Sequence, residues 1–280
     1  MFAIDVHVHV KTGDNKGPLL EQQKAGARAF KTNFRSLGPD DVAQLYRERD
    51  MMACIFDVDK TTAANRSNSN DEIAAHAAAH PDVFIPVASV DPRLGKKAVE
   101  EAERCIGTLG MRGFKFQPVS QGFYPNDPEF NPLWETIDGL GVPVIVHSGT
   151  TAIGQGTPGG SGLRLDYARP VPYLDDLAAR FPNLTIIAAH PGWPWHEELL
   201  AVVNHKGNVY MDLSGWAPKY FPPVTVKYAK SMISDKVLFG TDFPLFSPDR
   251  WMEEFDEYGF PDDVKQKIYL DNAKRVFKIE

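Results

Sequence analysis

The sequence FAIDVHVHV, residues 2–10, predicts a buried β-strand that carries two histidines towards its carboxyl end. In an extended strand, residues two apart point to the same side and lie roughly 6.5–7 Å apart. His7 and His9 are therefore expected to share one face of this strand. Two imidazoles placed in this way can bind one metal ion, or they can be ordinary polar side chains on a solvated face. The rest of the sequence has to decide between these interpretations.

Seven further apolar runs follow at regular spacing, separated by segments with the amphipathic periodicity of helices. The runs are MACIFDV (52–58), VFIPVASV (83–90), MRGFKFQ (111–117), VPVIVHS (142–148), LTIIAAH (184–190), NVYMDLS (208–214) and KVLFGTD (236–242). This repeated alternation predicts an α/β fold, a parallel sheet closed into a (β/α)8 TIM barrel as one domain over residues 1–280. An open doubly wound sheet is the alternative, but its Gly-rich nucleotide-binding turn is missing after the first strand.

The composition narrows the class of protein and of partner. Of the 280 residues, 43% are hydrophobic, which is enough for a sizeable core. The formal net charge of −7 and the lack of a basic block argue against nucleic acid as a partner. No apolar run approaches the length of a membrane span, and no secretory signal is visible. We therefore expect a cytoplasmic protein that acts on a small molecule.

Side chains with metal-binding chemistry fall at the predicted carboxyl ends of several strands. Besides His7 and His9, they are His147 on strand five, His190 on strand six and Asp242 on strand eight. In a barrel these ends encircle one mouth, where barrel enzymes place their sites. Three neutral imidazoles and one carboxylate suit Zn²⁺, and also Fe²⁺, Mn²⁺ or Co²⁺. The five residues together favour a divalent metal site more strongly than any one of them does alone.

Two connections at this predicted mouth are too long for plain turns. Residues 10–39 follow strand one, and the Gly-rich residues 149–170 follow strand five. Long loops in a compact domain are usually functional or disordered. We expect the second to be a flexible lid, with a merely disordered loop as the alternative.

The order of these residues along the chain resembles the amidohydrolase superfamily: H-x-H on strand one, His on strands five and six, and Asp on strand eight. The phrases VIVHSGT, IIAAHPGWPWHEEL, VYMDLSGW and KVLFGTDFPLFSPDRW resemble its amidohydrolase-related branch. That branch contains aminocarboxymuconate-semialdehyde decarboxylase, aromatic-acid decarboxylases and uncharacterised hydrolases. The resemblance runs from Asp5 to the NAKRVFKI tail, residues 272–279, and it also implies a homodimer as one form of assembly.

The resemblance implies roles for individual residues. His190 would lie beside the metal as general acid or base, or alternatively would bind a second ion. A single metal ion is expected rather than two, with Zn²⁺ preferred over the other ions. It would be held by His7, His9, His147 and Asp242.

Lys115, at the end of strand four in GFKFQP, leaves a choice open. Binuclear members of the superfamily carry a carbamylated lysine here, which bridges two metals. An unmodified ammonium would instead bind a substrate carboxylate as a point charge, which is the interpretation we favour. A salt-bridged or surface-directed lysine is the third alternative.

The expected function is a metal-dependent hydrolase of a small carbonyl- or carboxylate-containing substrate, in which His190 and Asp242 assist a metal-activated water. The alternatives are a metal-dependent non-oxidative decarboxylase of the same branch and a non-catalytic metal-binding barrel. The hydrolase is preferred because salicylate-type decarboxylases of the branch tend to begin with glutamate where this chain has His7. Predicted substrate-binding residues are Lys115, Arg164, Arg169, Lys219 and Arg250 for anions, and Trp193 and Trp216 for an aromatic or conjugated group.

Overall fold

Eight parallel strands form the centre of the molecule. The structure, a computed structural model, describes residues 1–10, 37–67 and 69–280. Hydrogen bonding joins the strands in sequence order as a three-stranded and a five-stranded sheet. The strands are β1 (Ala3–His9), β2 (Met51–Phe56), β3 (Phe84–Pro86), β4 (Phe114–Phe116), β5 (Val144–His147), β6 (Ile186–Ala189), β7 (Val209–Asp212) and β8 (Val237–Leu238).

Two parallel backbone bridges close the sheets into one barrel. Ala88, just after β3, pairs with Phe114 of β4, and Val8 of β1 pairs with Phe243, beyond β8. At the second junction the His9 N–H donates to the Phe243 carbonyl at 2.8 Å. The predicted (β/α)8 TIM barrel is therefore confirmed. Its closure places the first strand beside the segment that follows the last.

Helices alternate with the strands around the barrel. Within the described ranges, no helix combines the length and the apolar character that crossing a bilayer requires. The helices are α1 (Pro39–Arg47), α2 (Thr61–Ala64), α3 (Asn70–Ala79), α4 (Lys96–Gly107), α5 (Pro118–Gln121), α6 (Asn131–Leu140), α7 (Asp175–Arg180), α8 (His196–His205), α9 (Pro223–Ala229), α10 (Pro248–Asp256), α11 (Asp262–Gln266) and α12 (Asn272–Phe277).

The barrel interior is packed with side chains that alternate along the strands, as expected for a barrel core. The C-terminal helix α12 adds Ala273, Val276 and Phe277 to this same cluster. The strand residues of the cluster are Ile4, Val6, Cys54, Phe56, Ile85, Val87, Ile145, Ile187, Ala189 and Leu238. The apolar interior thus supports the polar residues at the strand ends.

Of the two long connections at the predicted mouth, the structure describes mainly the second. Most of residues 10–39 lies outside the described residues. The segment after β5 contains short 3-10 turns at Pro158–Gly162 and Leu165–Ala168. Its start is bonded to the neighbouring loop, because the Thr150 N–H donates to the Trp193 carbonyl at 2.7 Å. That this segment acts as a lid stays a prediction.

Truncation of Phe277 tests the contribution of α12 to the core. Phe277→Ala is expected to lower the free energy of unfolding by about 3–5 kcal/mol, because it leaves a cavity in a buried cluster. Lys274→Ala on the same helix, at a half-buried position, should change it by less than about 0.5 kcal/mol. Urea unfolding measures both, and equal effects would contradict this account of α12.

Candidate active site and metal centre

Barrel closure brings the two histidines of β1 against Asp242. The Asp242 N–H donates to the His7 carbonyl at 2.9 Å, which fixes the segment after β8 alongside β1. Oδ1 of Asp242 lies 3.1 Å from Nε2 of His9 and 3.6 Å from Nε2 of His7. One potential ligand atom from each of these three residues lies within 4.8 Å of the others. Residues more than 230 positions apart are therefore neighbours at the mouth.

His147 and His190 form a second, contiguous pair. His147 is the last residue of β5, and His190 directly follows β6. Both side chains are almost fully buried. Nε2 of His190 is 2.9 Å from Nδ1 of His147, and the ring centroids of His190 and His7 are 4.8 Å apart. The structure thus brings the predicted histidines at the ends of three strands into one cluster.

Carbonyl groups fix the tautomers of this pair. Nε2 of His147 lies 3.1 Å from the Thr150 carbonyl oxygen, and Nδ1 of His190 lies 3.0 Å from the Ser214 carbonyl oxygen. Because a carbonyl oxygen only accepts, both of these nitrogens carry the hydrogen. The facing nitrogens, Nδ1 of His147 and Nε2 of His190, then both present lone pairs across 2.9 Å. A metal cation bound to these nitrogens would relieve the repulsion of such a buried contact.

The same reasoning applies to His7. Its Nδ1 lies 3.1 Å from Oδ2 of Asp212, so Nδ1 carries the hydrogen and Nε2 presents a lone pair. That lone pair faces Nζ of Lys115 at 3.2 Å and the carboxylate of Asp242. Inward-facing imidazole nitrogens together with a carboxylate oxygen are the donor set that divalent transition ions prefer. The residues present therefore fit a metal ion.

Burial sets the protonation states that metal binding needs. It lowers the pKa of His7 to about 3 and also lowers the pKa of His147 and of His190. Burial alone would raise the pKa of Asp242, but its hydrogen bond with His9 and its interactions with His7 and His190 lower that pKa below the usual range. At neutral pH the cluster thus offers neutral imidazoles and an ionised carboxylate.

Asp212, at the end of β7, is a functional candidate that sequence reasoning missed. It is fully buried and accepts hydrogen bonds from Nδ1 of His7 and from the backbone N–H of His190. The available signal was its position, an acidic residue at the carboxyl end of a strand in VYMDLS. Strict strand alternation would instead place Asp5 on the face of His7 and His9.

Asp5 lies elsewhere because the pairing register of β1 shifts between Asp5 and Val8. Its carboxylate accepts from the Tyr46 hydroxyl at 2.7 Å and from the Thr241 hydroxyl at 2.6 Å, and it also accepts from the backbone N–H of His7. Burial raises the pKa of Asp5 to about 7, against the effect of these donors. Asp5 therefore positions the backbone of β1 and does not orient an imidazole ring.

Backbone conformation is unusual at two of the clustered residues. His190 and Asp242 have φ values of +72° and +62°, in the left-handed region that non-glycine residues seldom adopt. Gly215 has φ +73°, and a Cβ there would lie 2.5 Å from Nδ1 of His190. The His190 ring therefore occupies space that only a glycine leaves open.

Lys115 differs from the other predicted anion-binding residues. It is buried, lies 5.3 Å above the Phe56 ring centroid, and has no carboxylate within ion-pair distance in the described part of the chain. Burial lowers the pKa of Lys115 to about 8. The other cations are already paired, as Arg164–Asp166 (2.7 Å), Arg169–Glu198 (2.6 Å), Arg250–Glu254 (3.0 Å) and Lys219–Glu254 (3.5 Å).

The two predicted tryptophans lie close together. Their ring centroids are 5.9 Å apart, and Trp193 is 48% exposed whereas Trp216 is half-buried. Trp193 follows His190 by three positions, and Trp216 follows Ser214 by two. The pair thus offers aromatic surface on the loops that leave the clustered residues.

Comparison with known proteins gives a consistent family. The profile of the Amidohydrolase family Amidohydro_2 matches residues 4–279. Gamma-resorcylate decarboxylase of Rhizobium sp. (strain MTP-10005) is 23% identical over 251 residues, 76% of this chain and 75% of the relative. An uncharacterized TIM-barrel protein from Bordetella bronchiseptica superposes with a TM-score of 0.78 at 22% identity, covering 99% of this chain and 98% of the other.

A solved decarboxylase is also similar in fold. Dihydroxybenzoic acid decarboxylase from Polaromonas sp. JS666, crystallised with manganese and the inhibitor 2-nitroresorcinol, superposes with a TM-score of 0.68. The two proteins are 22% identical, and the match covers 99% of this chain and 97% of the other.

These relatives correct the expected function. The expectation of a hydrolase was wrong, because the named relatives are decarboxylases and favour the alternative. The presence of His7 is therefore not a sufficient criterion for hydrolysis. The ligand set itself does not separate the two reactions, because one metal and one imidazole can assist either.

The lowered histidine pKa values predict how stability depends on pH in metal-free protein. Unfolded histidines bind protons below about pH 6.5, whereas His7, His147 and His190 resist protonation in the fold, so stability should fall as the pH falls. Each such histidine contributes about 1.4 kcal/mol per pH unit in this range. Urea unfolding of the wild type and of His147→Gln at several pH values checks this: the variant should show a smaller slope, and an unchanged slope would contradict it.

Proposed function

The chain belongs to the amidohydrolase family Amidohydro_2, and on this premise we propose that it is a metal-dependent decarboxylase of a small aromatic or conjugated carboxylic acid. The observation that carries the proposal is the cluster of imidazole lone pairs and one carboxylate beside the buried ammonium of Lys115, which has no carboxylate partner among the described residues. The decarboxylase names of the relatives support the reaction type.

We assign the metal-holding role to four residues. The ion would be Mn²⁺ or Zn²⁺: manganese is bound in the similar Polaromonas decarboxylase, and zinc suits the histidine-rich donor set. When bound, such an ion supplies a Lewis acid that polarises substrate oxygen atoms. One ion would be held by His7, His9 and Asp242, whose ligand atoms lie within 4.8 Å of one another, and by His147, which joins the cluster through its contact with His190.

Lys115 is proposed to bind the substrate carboxylate. Its ammonium donates to the lone pair of His7 Nε2 at 3.2 Å, and a nitrogen has only one lone pair to share. If that lone pair were bound to a metal ion, the Lys115 donors would be available to another acceptor. A carboxylate is the acceptor that such a buried point charge favours. Arg164, Arg169 and Arg250 already have carboxylate partners, so we do not assign this role to them.

His190 is proposed to deliver the proton that decarboxylation requires. Cleavage of the bond between the carboxylate and its carbon releases CO₂ and leaves the electron pair on that carbon, which then takes a proton. The Nδ1–H of His190 is bonded to Ser214, so Nε2 is the nitrogen at which His190 would take a proton from water and pass it to that carbon. Trp193 and Trp216 would lie against the planar substrate.

Metal-dependent release of CO₂ is the decisive measurement. Protein loaded with Mn²⁺ or Zn²⁺ should release CO₂ from at least one acid in a panel of 2,6-dihydroxybenzoate, 5-carboxyvanillate and 2-amino-3-carboxymuconate 6-semialdehyde. Chelation should abolish turnover and re-addition of the ion restore it, whereas Asp242→Asn should stay inactive. Stoichiometric metal with no CO₂ from any carboxylic acid tested would contradict the proposal.

Substitution of Lys115 tests the carboxylate-binding role. Lys115→Met should lower kcat/KM by roughly 30-fold or more, because truncating one partner of a buried charge pair costs about 2–5 kcal/mol. Arg164→Met is the matched control, since this arginine is exposed and already paired with Asp166. We expect less than about a threefold change there. Equal losses in both variants would remove the special role of Lys115.

A further inference from the structure

Asp212 is surrounded by hydrogen-bond donors on both carboxylate oxygens. Oδ2 accepts from Nδ1 of His7 at 3.1 Å. Oδ1 accepts from the backbone N–H of His190 at 3.0 Å, from the backbone N–H of Ser214 at 2.9 Å and from the Ser214 hydroxyl at 2.5 Å. One ligand atom each of Asp212, His7 and His190 lies within 4.8 Å of the others. The lone pairs of Asp212 are, however, largely used by these hydrogen-bond donors and are not available to a metal ion.

The Ser214 hydroxyl extends this arrangement to the His190 ring. Its single hydrogen is donated to Asp212, so its oxygen can only accept from Nδ1 of His190, 2.9 Å away. The Ser214 carbonyl accepts from the same nitrogen at 3.0 Å. Nδ1 of His190 therefore carries the hydrogen, and Nε2 faces the cluster.

We propose that Asp212 is a positioning residue that fixes the tautomer of His7 and, by accepting from the backbone N–H groups of His190 and Ser214, holds the His190 ring against the Ser214 carbonyl, so that Nε2 of both rings presents its lone pair to the proposed metal and substrate. This inference rests on the proposed function, because it assigns a use to those two nitrogens. One buried carboxylate at the end of β7 thus orients rings delivered by two other strands.

The substitution Asp212→Asn has a specific predicted outcome. Two backbone N–H groups, of His190 and Ser214, face the Oδ1 position and cannot become acceptors. The amide oxygen of an asparagine must therefore take that position, which turns its NH₂ group towards Nδ1 of His7. His7 then has to accept at Nδ1 and carry its hydrogen on Nε2. The lone pair needed at the cluster is lost without any change in the size of the side chain.

The test reads the tautomer and metal binding directly. Long-range ¹H–¹⁵N spectra of metal-free protein labelled with ¹⁵N-histidine should show His7 hydrogenated at Nδ1 in the wild type and at Nε2 in Asp212→Asn. Titration with Mn²⁺ or Zn²⁺ should give a dissociation constant that is 10–100-fold higher for Asp212→Asn than for the wild type. This is roughly the effect of losing a partner that orients a metal-binding histidine. Ser214→Ala should keep the His190 tautomer, because the Ser214 carbonyl still accepts.

Asp59→Asn is the matched control. Asp59 is also a buried carboxylate after a strand and accepts from Thr61 and from the backbone of Asp91, but it contacts no imidazole among the described residues. This variant should lose stability without changing any histidine tautomer or metal affinity. A drop in metal affinity in Asp59→Asn equal to that in Asp212→Asn would overturn the inference.

Two results would overturn the inference independently of turnover. One is wild-type protein in which His7 is hydrogenated at Nε2, a measurement that needs no variant to fold. The other is Asp212→Asn that keeps the wild-type tautomer and metal affinity. If the tautomer switch is observed while the wild type releases no CO₂ from any acid, the decarboxylase proposal fails and the role of Asp212 stands.

Discussion

Nitrogen lone pairs that face one another inside a protein are unfavourable, because neither water nor a donor compensates them. The mouth of this barrel contains such a contact between His147 and His190, and the lone pair of His7 points to the same region. Their hydrogens are committed to acceptors on the outer side of the cluster, so the rings cannot relieve the repulsion by exchanging tautomers. The arrangement is suited to a cation. The other contacts around the mouth hold these side chains in place.

That support comes from barrel closure. Asp5 accepts hydrogen bonds from the hydroxyl of Tyr46 in α1 and from Thr241 after β8, and also from the backbone of His7. One carboxylate below the cluster therefore joins the first strand, a helix and the last strand. The ligand atoms of His7, His9 and Asp242 lie close together because the strands that carry them are joined in this way. Packing of α12 against the apolar barrel interior further supports the strands that carry these residues.

The sequence contained more about the fold than about the reaction. Periodic apolar runs predicted the barrel, and histidines at strand ends predicted which side chains would meet. Strand alternation alone misplaces Asp5, because a register shift in β1 has no sequence signature of its own. The pairing of Arg164 and Arg169 depends on loop conformations that sequence spacing does not encode, whereas Arg250 and Glu254 are an i, i+4 pair within α10. Hydrolysis and decarboxylation could not be separated, since both use the same metal-binding residues.

Gly215 has a consequence for attempts to re-engineer this barrel. The imidazole of His190 fills the volume where any other residue at position 215 would carry its first side-chain carbon. Libraries that enlarge or reshape the entrance can vary the exposed Trp193, but a side chain at position 215 would displace the His190 ring. Among natural relatives that keep this histidine and this loop geometry, the smallest amino acid should recur at the corresponding place, as a spatial requirement of its neighbour.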